Sequence, residues 1–136
     1  MVAPKVMLDT NILIYIQTNR PPWVIEKFRQ IKRGEAAISA LVWAEFQVGL
    51  LKNGLQAPDV QSLIDVLPFD ERAALTFARI AVCKPGQQKN IDRLIAAHAI
   101  SLGATLVTNN TADFQQYVPD GLALENWAEQ DGGHAG

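Results

Sequence analysis

Short apolar segments alternate with longer segments of helical periodicity along the whole chain. The apolar segments predict strands over residues 5–8, 35–39, 66–69, 104–108 and 121–125. Helices are predicted over residues 12–17, 22–31, 40–52, 58–66, 70–82 and 91–103, with a helical turn over 111–117. This alternation predicts an α/β fold around a parallel sheet, whose short apolar strands are covered on both faces.

Local signals mark where several of these helices begin and end. Ser39 and Asp70 each precede a helical segment and are good N-cap residues. Pro21 and Pro22 open the second helix, because proline is tolerated in a first helical turn. Gly103 follows the last long helix and is a typical residue at a helix end.

Length and composition predict one cytoplasmic domain. A chain of 136 residues, 49% hydrophobic and 19% charged, can bury a substantial core. The single cysteine, Cys83, allows no internal disulfide, which suits a reducing compartment. The first apolar run is short and contains Asp9, so we expect no signal peptide, and no membrane span is expected because the chain has no run of about 20 apolar residues.

The net charge of −2 is unevenly distributed along the chain. All 12 lysines and arginines lie at or before Arg93, whereas five acids and no lysine or arginine follow it. The basic residues form two clusters: Arg20, Lys27, Arg29, Lys32 and Arg33, and then Lys84, Lys89 and Arg93. Each cluster is interpreted either as a solvated face or as a rim that binds phosphates.

Four acids occupy positions where an acid needs an explanation. Asp9 directly follows the first strand and Asp113 follows the fourth, although each could simply cap a helix or a turn. Glu45 shares a helical face with apolar neighbours, so we expect it to be buried and compensated by a salt bridge or a metal ion. Asp92 opens a helix, where the helix dipole alone would favour it.

In a parallel sheet, the four acids can converge on the edge formed by the carboxyl ends of the strands. Four carboxylates at one place repel each other and need cations to remain ionised. Oxygen ligands of this kind suit Mg²⁺ or Mn²⁺. Such ions typically serve the hydrolysis of phosphoryl esters, by activating water and stabilising the leaving oxygen.

Four ordered motifs carry a resemblance to a known family: MLDTNILIY at residues 7–15, SALVWAEF at 39–46, IDRLIAAHAISLGATLVTNNTADF at 91–114 and GLALENW at 121–127. They resemble the PIN-domain ribonucleases, and more narrowly the VapC-type toxins of bacterial toxin–antitoxin modules. The resemblance implies a three-layer α/β/α sandwich with a short central parallel sheet. It covers residues 1–127 as a single PIN domain, and residues 128–136 are expected to form a flexible tail.

The resemblance also implies a role for each motif residue. Asp9, Glu45 and Asp92 match the three core acids that bind Mg²⁺ or Mn²⁺, and Asp113 matches the fourth acid of the subgroup with TNN. Other PIN domains place that acid three residues earlier, where this chain has Asn110. Polar supporting roles fall to Thr10, Asn11, Ser39, Thr108, Asn109 and Asn110.

The function implied by the resemblance is a metal-dependent endoribonuclease toxin acting on structured RNA, either transfer or ribosomal RNA. The toxin would inhibit translation, be neutralised by a cognate VapB-type antitoxin, and form a homodimer. Two alternatives remain open: a degenerate PIN domain that only binds RNA or protein, and a phosphoacceptor signalling domain. The second lacks a lysine after a late strand, because no lysine follows Arg93. His98 lies on an apolar helical face and is expected to be a core or interface residue.

Overall fold

A computed structural model describes residues 3–86 and 90–129 of the chain. Five parallel strands form one sheet in the order β3-β2-β1-β4-β5. The strands are β1 (Val6–Leu8), β2 (Ala36–Ser39), β3 (Asp65–Leu67), β4 (Thr105–Val107) and β5 (Ala123–Glu125). The helices are α1 (Thr10–Thr18), α2 (Pro22–Arg29), α3 (Ala40–Lys52), α4 (Pro58–Leu63), α5 (Glu71–Cys83), α6 (Asn90–Leu102) and α7 (Thr111–Phe114), and a 3₁₀ helix spans Gln115–Asp120.

The helices cover the sheet on both faces. The chain moves outward from β1 through β2 to β3, and the right-handed crossovers that are general for parallel strands place α1 to α4 on one face. The chain then returns past β1 to β4 and β5, so that α5 to α7 lie on the other face. The packing of α1 against α2, α3 and α4, and of α6 against α5, α7 and β4, agrees with this division. The predicted three-layer α/β/α sandwich is therefore confirmed.

The centre of the sheet is also its topological switch point. β1 lies between β2 and β4, and the direction in which the crossovers run reverses between β1 and β4. In open α/β sheets, ligands bind in the crevice outside the carboxyl ends of the strands at such a point. The backbone N–H of Asp9 donates to the carbonyl oxygen of Val107 at 2.9 Å, so the ends of β1 and β4 are held side by side.

The predicted elements are mostly confirmed, with one clear error. The helix predicted over 58–66 ends at Leu63, and residues 65–67 form β3 instead. The buried residue Ile64 adopts an extended conformation, which lets Asp65 pair with Ala37 of β2. Pairing with β2 thus overrides the local helical pattern, and Pro68 and Phe69 lie beyond the strand.

The expectation that every strand is covered on both faces is wrong for the two edge strands. All residues of β1 and β2 are buried, whereas β3 and β5 are mainly exposed. An edge strand has a neighbour on one side only, so the helices of a small sandwich do not enclose it fully. The buried core therefore centres on β1, β2 and β4, beneath the predicted site.

Two further predictions concern the C-terminal tail and membrane-spanning helices. Residues 130–136, most of the predicted flexible tail, lie outside the described residues, so the tail stays a prediction. Within the described residues, we find no helix with the length and hydrophobicity that a membrane span requires.

Candidate active site

Asp9 is the best-held acid of the predicted set. Its side chain is 6% exposed at the end of β1 and caps α1 by accepting the backbone N–H of Thr10 at 2.9 Å. Its carboxylate also accepts the Thr108 hydroxyl at 2.8 Å and the Asn11 amide at 3.3 Å. Asp9 therefore caps a helix and also lies at the centre of a network between β1 and β4.

The surroundings of Asp9 disfavour its negative charge. Burial raises the pKa of this carboxyl above its ordinary value, and the three hydrogen-bond donors offset that rise only in part. The negative charge of Asp113 raises the same pKa further, which shows that the two acids are within electrostatic range. A nearby cation would relieve both effects, so the chemistry of this pair fits a metal ion.

Glu45 reaches the same edge from α3. Its carboxylate accepts the Thr10 hydroxyl at 2.9 Å, and Thr10 directly follows Asp9. The expectation that Glu45 is buried is wrong, because α3 buries the face of Val42, Phe46 and Leu50. Glu45 and Val48 lie on the exposed side of that helix, so no buried salt bridge is needed to compensate this charge.

The end of β4 supplies the polar groups that surround Asp9. The Thr108 hydroxyl accepts the backbone N–H of Asn110 at 3.0 Å while donating to Asp9. The Asn11 amide oxygen accepts the backbone N–H of Asn109 at 3.0 Å. These bonds fix the TNN segment against the first turn of α1, as expected of groups that orient a metal-binding carboxylate.

Tyr15 belongs to this network, although the sequence analysis missed it. The side-chain amide of Asn109 donates to the Tyr15 hydroxyl at 2.6 Å. Tyr15 lies four residues after Asn11, and such residues share one face of a helix. That spacing was a signal in the sequence that could have identified Tyr15.

The other two acids lie on helices of the opposite layer. Asp113 is an exposed residue of α7, two residues after its first residue, Thr111. Asp92 is partly buried in the first turn of α6, a helix that leads directly into β4. Because α6 runs back from the carboxyl edge of the sheet to its amino edge, its first turn lies at the edge that carries Asp9. Ala96 and Ala99 of this helix are fully buried, and these small side chains let α6 pack closely on the sheet.

The four acids do not form a closed ligand set. Within residues 3–86 and 90–129, no three carboxylate, imidazole or thiol groups are grouped closely enough to hold one ion. The oxygen donors fit Mg²⁺ or Mn²⁺ in kind, and the assignment of all four acids as ligands stays a prediction.

Ser39 has different partners from those that its predicted supporting role implies. Its hydroxyl oxygen accepts the backbone N–H of Leu41 at 3.2 Å and thereby caps α3. The same oxygen lies 2.8 Å from Nδ1 of His98 on α6. His98 is itself 2% exposed, in agreement with the expectation of a core residue.

The basic clusters do not form a simple rim around the acids. Arg29, Lys32 and Arg33 line a surface pocket together with Ala36, the first residue of β2, so they lie near the amino edge of the sheet. In the second cluster, Lys84 pairs with Asp120 at 3.1 Å. Arg93 is buried and donates to the carbonyl oxygen of Lys84 at 2.9 Å. Lys89 lies outside the described residues.

Known proteins share both the sequence and the fold of this chain. The PIN domain family model matches residues 6–118. A tRNA(fMet)-specific endonuclease VapC of Shigella flexneri is 35% identical over 133 residues, covering 91% of this chain and 98% of the relative. Ribonuclease VapC2 of Rickettsia felis is 37% identical over 132 residues, covering 89% of this chain and 96% of the relative.

A solved complex shows the same architecture. The crystal structure of VapBC2 from Rickettsia felis, bound to a DNA fragment from its promoter, contains a chain that matches with a TM-score of 0.76 and 32% identity. The match covers 90% of this chain and 98% of that one. Since the family model spans most of the chain and the relatives align over nearly their whole length, the chain belongs to the PIN-domain family, among the VapC ribonucleases.

Proposed function

We propose that this protein is an Mg²⁺- or Mn²⁺-dependent endoribonuclease toxin that hydrolyses phosphodiester bonds in structured RNA. The observation that carries the proposal is the buried Asp9 carboxylate, which is held by Thr108 and Asn11 and is followed in sequence by Thr10, whose hydroxyl donates to Glu45. Burial and Asp113 both disfavour the charge on Asp9, so the pair supports a role in binding a cation.

In this proposal Asp9, Glu45, Asp92 and Asp113 hold the ion. The bound ion supplies an activated water and charge stabilisation for the leaving oxygen. Thr108 and Asn11 orient the Asp9 carboxylate, and Thr10 orients Glu45 by its 2.9 Å hydrogen bond. Asn109 and Asn110 fix the turn after β4, through backbone bonds to Asn11 and Thr108.

The proposed substrate is transfer or ribosomal RNA, whose cleavage inhibits translation. The Shigella relative is named as specific for tRNA(fMet), which supports transfer RNA as the first substrate to test. Water rather than the ribose 2′-hydroxyl is the proposed nucleophile. The products therefore carry a 5′-phosphate and a 3′-hydroxyl, and a 2′-deoxy substitution at the cleaved linkage leaves cleavage possible.

The decisive experiment incubates the purified full chain with labelled transfer and ribosomal RNA, with and without Mg²⁺ or Mn²⁺. We expect cleavage only in the presence of the ion and loss of cleavage when EDTA is added. Ligation-based mapping should find 5′-phosphate ends on the products. Asp9→Asn and Asp92→Asn should lose the activity. Cleavage that persists in EDTA, or cyclic phosphate ends, would refute the metal-dependent mechanism.

The second candidate is a degenerate PIN domain that binds RNA without cleaving it. It is favoured by the open arrangement of the acids within the described part of the chain and by Asn110, which stands where other PIN domains carry an acid. Calorimetric titration with Mn²⁺ separates the two candidates. A folded protein that binds RNA but neither binds Mn²⁺ nor cleaves would establish the degenerate domain.

The proposed protein partner is a VapB-type antitoxin. The similar solved chain comes from a VapBC complex. Val48, Leu51 and Leu55 are exposed apolar residues on and after α3, where Val48 shares a face with Glu45. A partner that covers this surface would also cover Glu45. Because Leu51 is exposed and is not a predicted ligand, Leu51→Asp should weaken the complex while leaving RNA cleavage intact.

A homodimer completes the proposal. Leu75 and Val82, which lie seven residues apart on α5, are 53% and 80% exposed. Two helical turns separate them, so they form an apolar stripe that a second copy could cover. Light scattering after chromatography should give twice the mass of one chain, and Val82→Lys should shift it toward that of one chain.

A further inference from the structure

We propose that His98 is a positioning residue, which sets the spacing of Glu45 and Asp92 through its hydrogen bond to Ser39. This inference rests on the proposed function, since it assigns both acids to the metal site. His98 acts on these two acids through the helices that bear them.

The bond joins two specific points of the fold. Ser39 is the last residue of β2 and the N-cap of α3, and Glu45 lies six residues further along that helix. His98 lies on α6, six residues after Asp92, which is about 9 Å along the axis. The 2.8 Å contact between Ser39 Oγ and His98 Nδ1 therefore ties the start of one acid-bearing helix to the body of the other.

Ser39 Oγ can keep both of its contacts at once. It accepts the Leu41 N–H at 3.2 Å, and its proton and second lone pair remain for His98 Nδ1, as donor or acceptor according to the tautomer of the imidazole. Burial lowers the pKa of His98, and the negative charge of Asp70 acts in the opposite direction, so the neutral imidazole is favoured. One serine hydroxyl thus caps α3 and fastens it to α6.

Burial makes the contact well defined. Ser39 and His98 are 1% and 2% exposed, so water does not compete for either group. The Phe69 ring packs edge-on against the imidazole, with ring centroids 5.5 Å apart and planes at 79°. The imidazole is therefore held in place, and loss of the bond would leave a buried hydroxyl without its partner.

The experiment compares three variants of the full chain by Mn²⁺ binding, steady-state cleavage and thermal unfolding. His98→Leu keeps the approximate shape and removes the hydrogen bond. His98→Asn keeps an acceptor at the position of Nδ1. Val24→Ala, a fully buried change on α2, which carries none of the predicted ligands, is the control for general destabilisation.

We expect His98→Leu to weaken Mn²⁺ binding by about tenfold, because partners outside the ligand shell tune metal affinity by this order. His98→Asn should bind Mn²⁺ within about twofold of the parent. Val24→Ala should lower Tm without changing the affinity for Mn²⁺. If His98→Leu does not fold, Ser39→Ala removes the same hydrogen bond together with the cap of α3, and should also weaken Mn²⁺ binding.

Two results would overturn the inference while leaving the proposed function in place. One is a folded His98→Leu protein, or Ser39→Ala in its place, that binds Mn²⁺ as tightly as the parent. The other is an equal loss of affinity in Val24→Ala, which would indicate general destabilisation. If the parent protein neither binds Mn²⁺ nor cleaves RNA, the proposed function fails and this inference fails with it.

Discussion

The two halves of the candidate site are built differently. In the half borne by strands, Asp9 is buried and accepts hydrogen bonds from Thr10, Thr108 and Asn11. In the half borne by helices, Glu45 and Asp113 are exposed, and Glu45 accepts one hydroxyl from Thr10. The strand half is held by hydrogen bonds within the protein, whereas exposed side chains on helices can change rotamer.

This difference suggests a division of labour between the halves. A carboxylate fixed by several donors loses little conformational freedom on binding a cation, while an exposed one must be ordered at that moment. The strand half should therefore set whether an ion binds at all. The helix half should tune how tightly it binds and how RNA meets it.

The largest expected effect comes from Asp9→Asn, which removes the ionised carboxylate from the strand half of the site. We expect activity to fall more than about a hundredfold, because even partners outside the ligand shell cost 10–100-fold. RNA cleavage at saturating Mn²⁺ measures the effect. Asp65→Asn, on the exposed edge strand β3, is the matched control and should cleave like the parent. If Asp9→Asn cleaved RNA as fast as the control, Asp9 would have no role in the site.

Thr108→Val should have the next largest effect. It deletes the hydroxyl that donates to Asp9 and accepts the N–H of Asn110, without adding bulk. Mn²⁺ affinity should fall about 10- to 100-fold by calorimetry. Thr105→Val, at the other end of β4, is the control. If both variants bind Mn²⁺ like the parent, the strand half is not organised by this hydroxyl.

Thr10→Val tests the helix half and should have a smaller effect. It removes the hydroxyl that donates to Glu45, a bond at the protein surface. The loss of Mn²⁺ affinity should not exceed about tenfold, since a hydrogen bond to a charged group contributes roughly 1.5 kcal/mol and exposure reduces it. Thr18→Val, at the end of α1, is the control. A loss as large as that of Thr108→Val would contradict the division between the halves.

The smallest effect measures how the two halves interact through charge. The negative charge of Asp113 raises the pKa of Asp9, so Asp113→Asn should lower that pKa in the metal-free protein. The shift should be modest, because burial is the main cause of the raised value. Carboxyl titration by NMR gives the pKa, with Asp65→Asn as the variant that should not move it. An unchanged pKa in Asp113→Asn would show that the halves do not interact electrostatically.

Local signals in the sequence predicted the elements well. The bounds of α3 agree residue for residue with the prediction over 40–52, because its cap at Ser39 and the stop at Asn53 and Gly54 are encoded next to the helix. The predicted end of the fourth helix was wrong. Pairing between β2 and β3, which is not a local interaction, decides the conformation of Ile64.

The site shows the same limit. Position along the chain predicted that Asp9 follows a strand and that Thr108 ends one, and the adjacency of β1 and β4 brings their side chains within 2.8 Å. The burial of Glu45 was predicted wrongly, because α3 has two apolar faces and only the packing of the sheet selects Val42 and Phe46 for the core. The partnership of Ser39 with His98 depends on how α6 crosses the sheet, which no local pattern encodes.

The segment Asp9, Thr10 and Asn11 has a consequence for sequence change. Three consecutive side chains reach three separate elements: Asp9 contacts Thr108, Thr10 contacts Glu45, and Asn11 contacts the backbone after β4. Each residue turns a helix by about 100°. Inserting or deleting a single residue between β1 and α1 would therefore misdirect all three side chains together, whereas a point substitution disturbs one. A change of length at this junction should therefore disturb the site more widely than any single replacement.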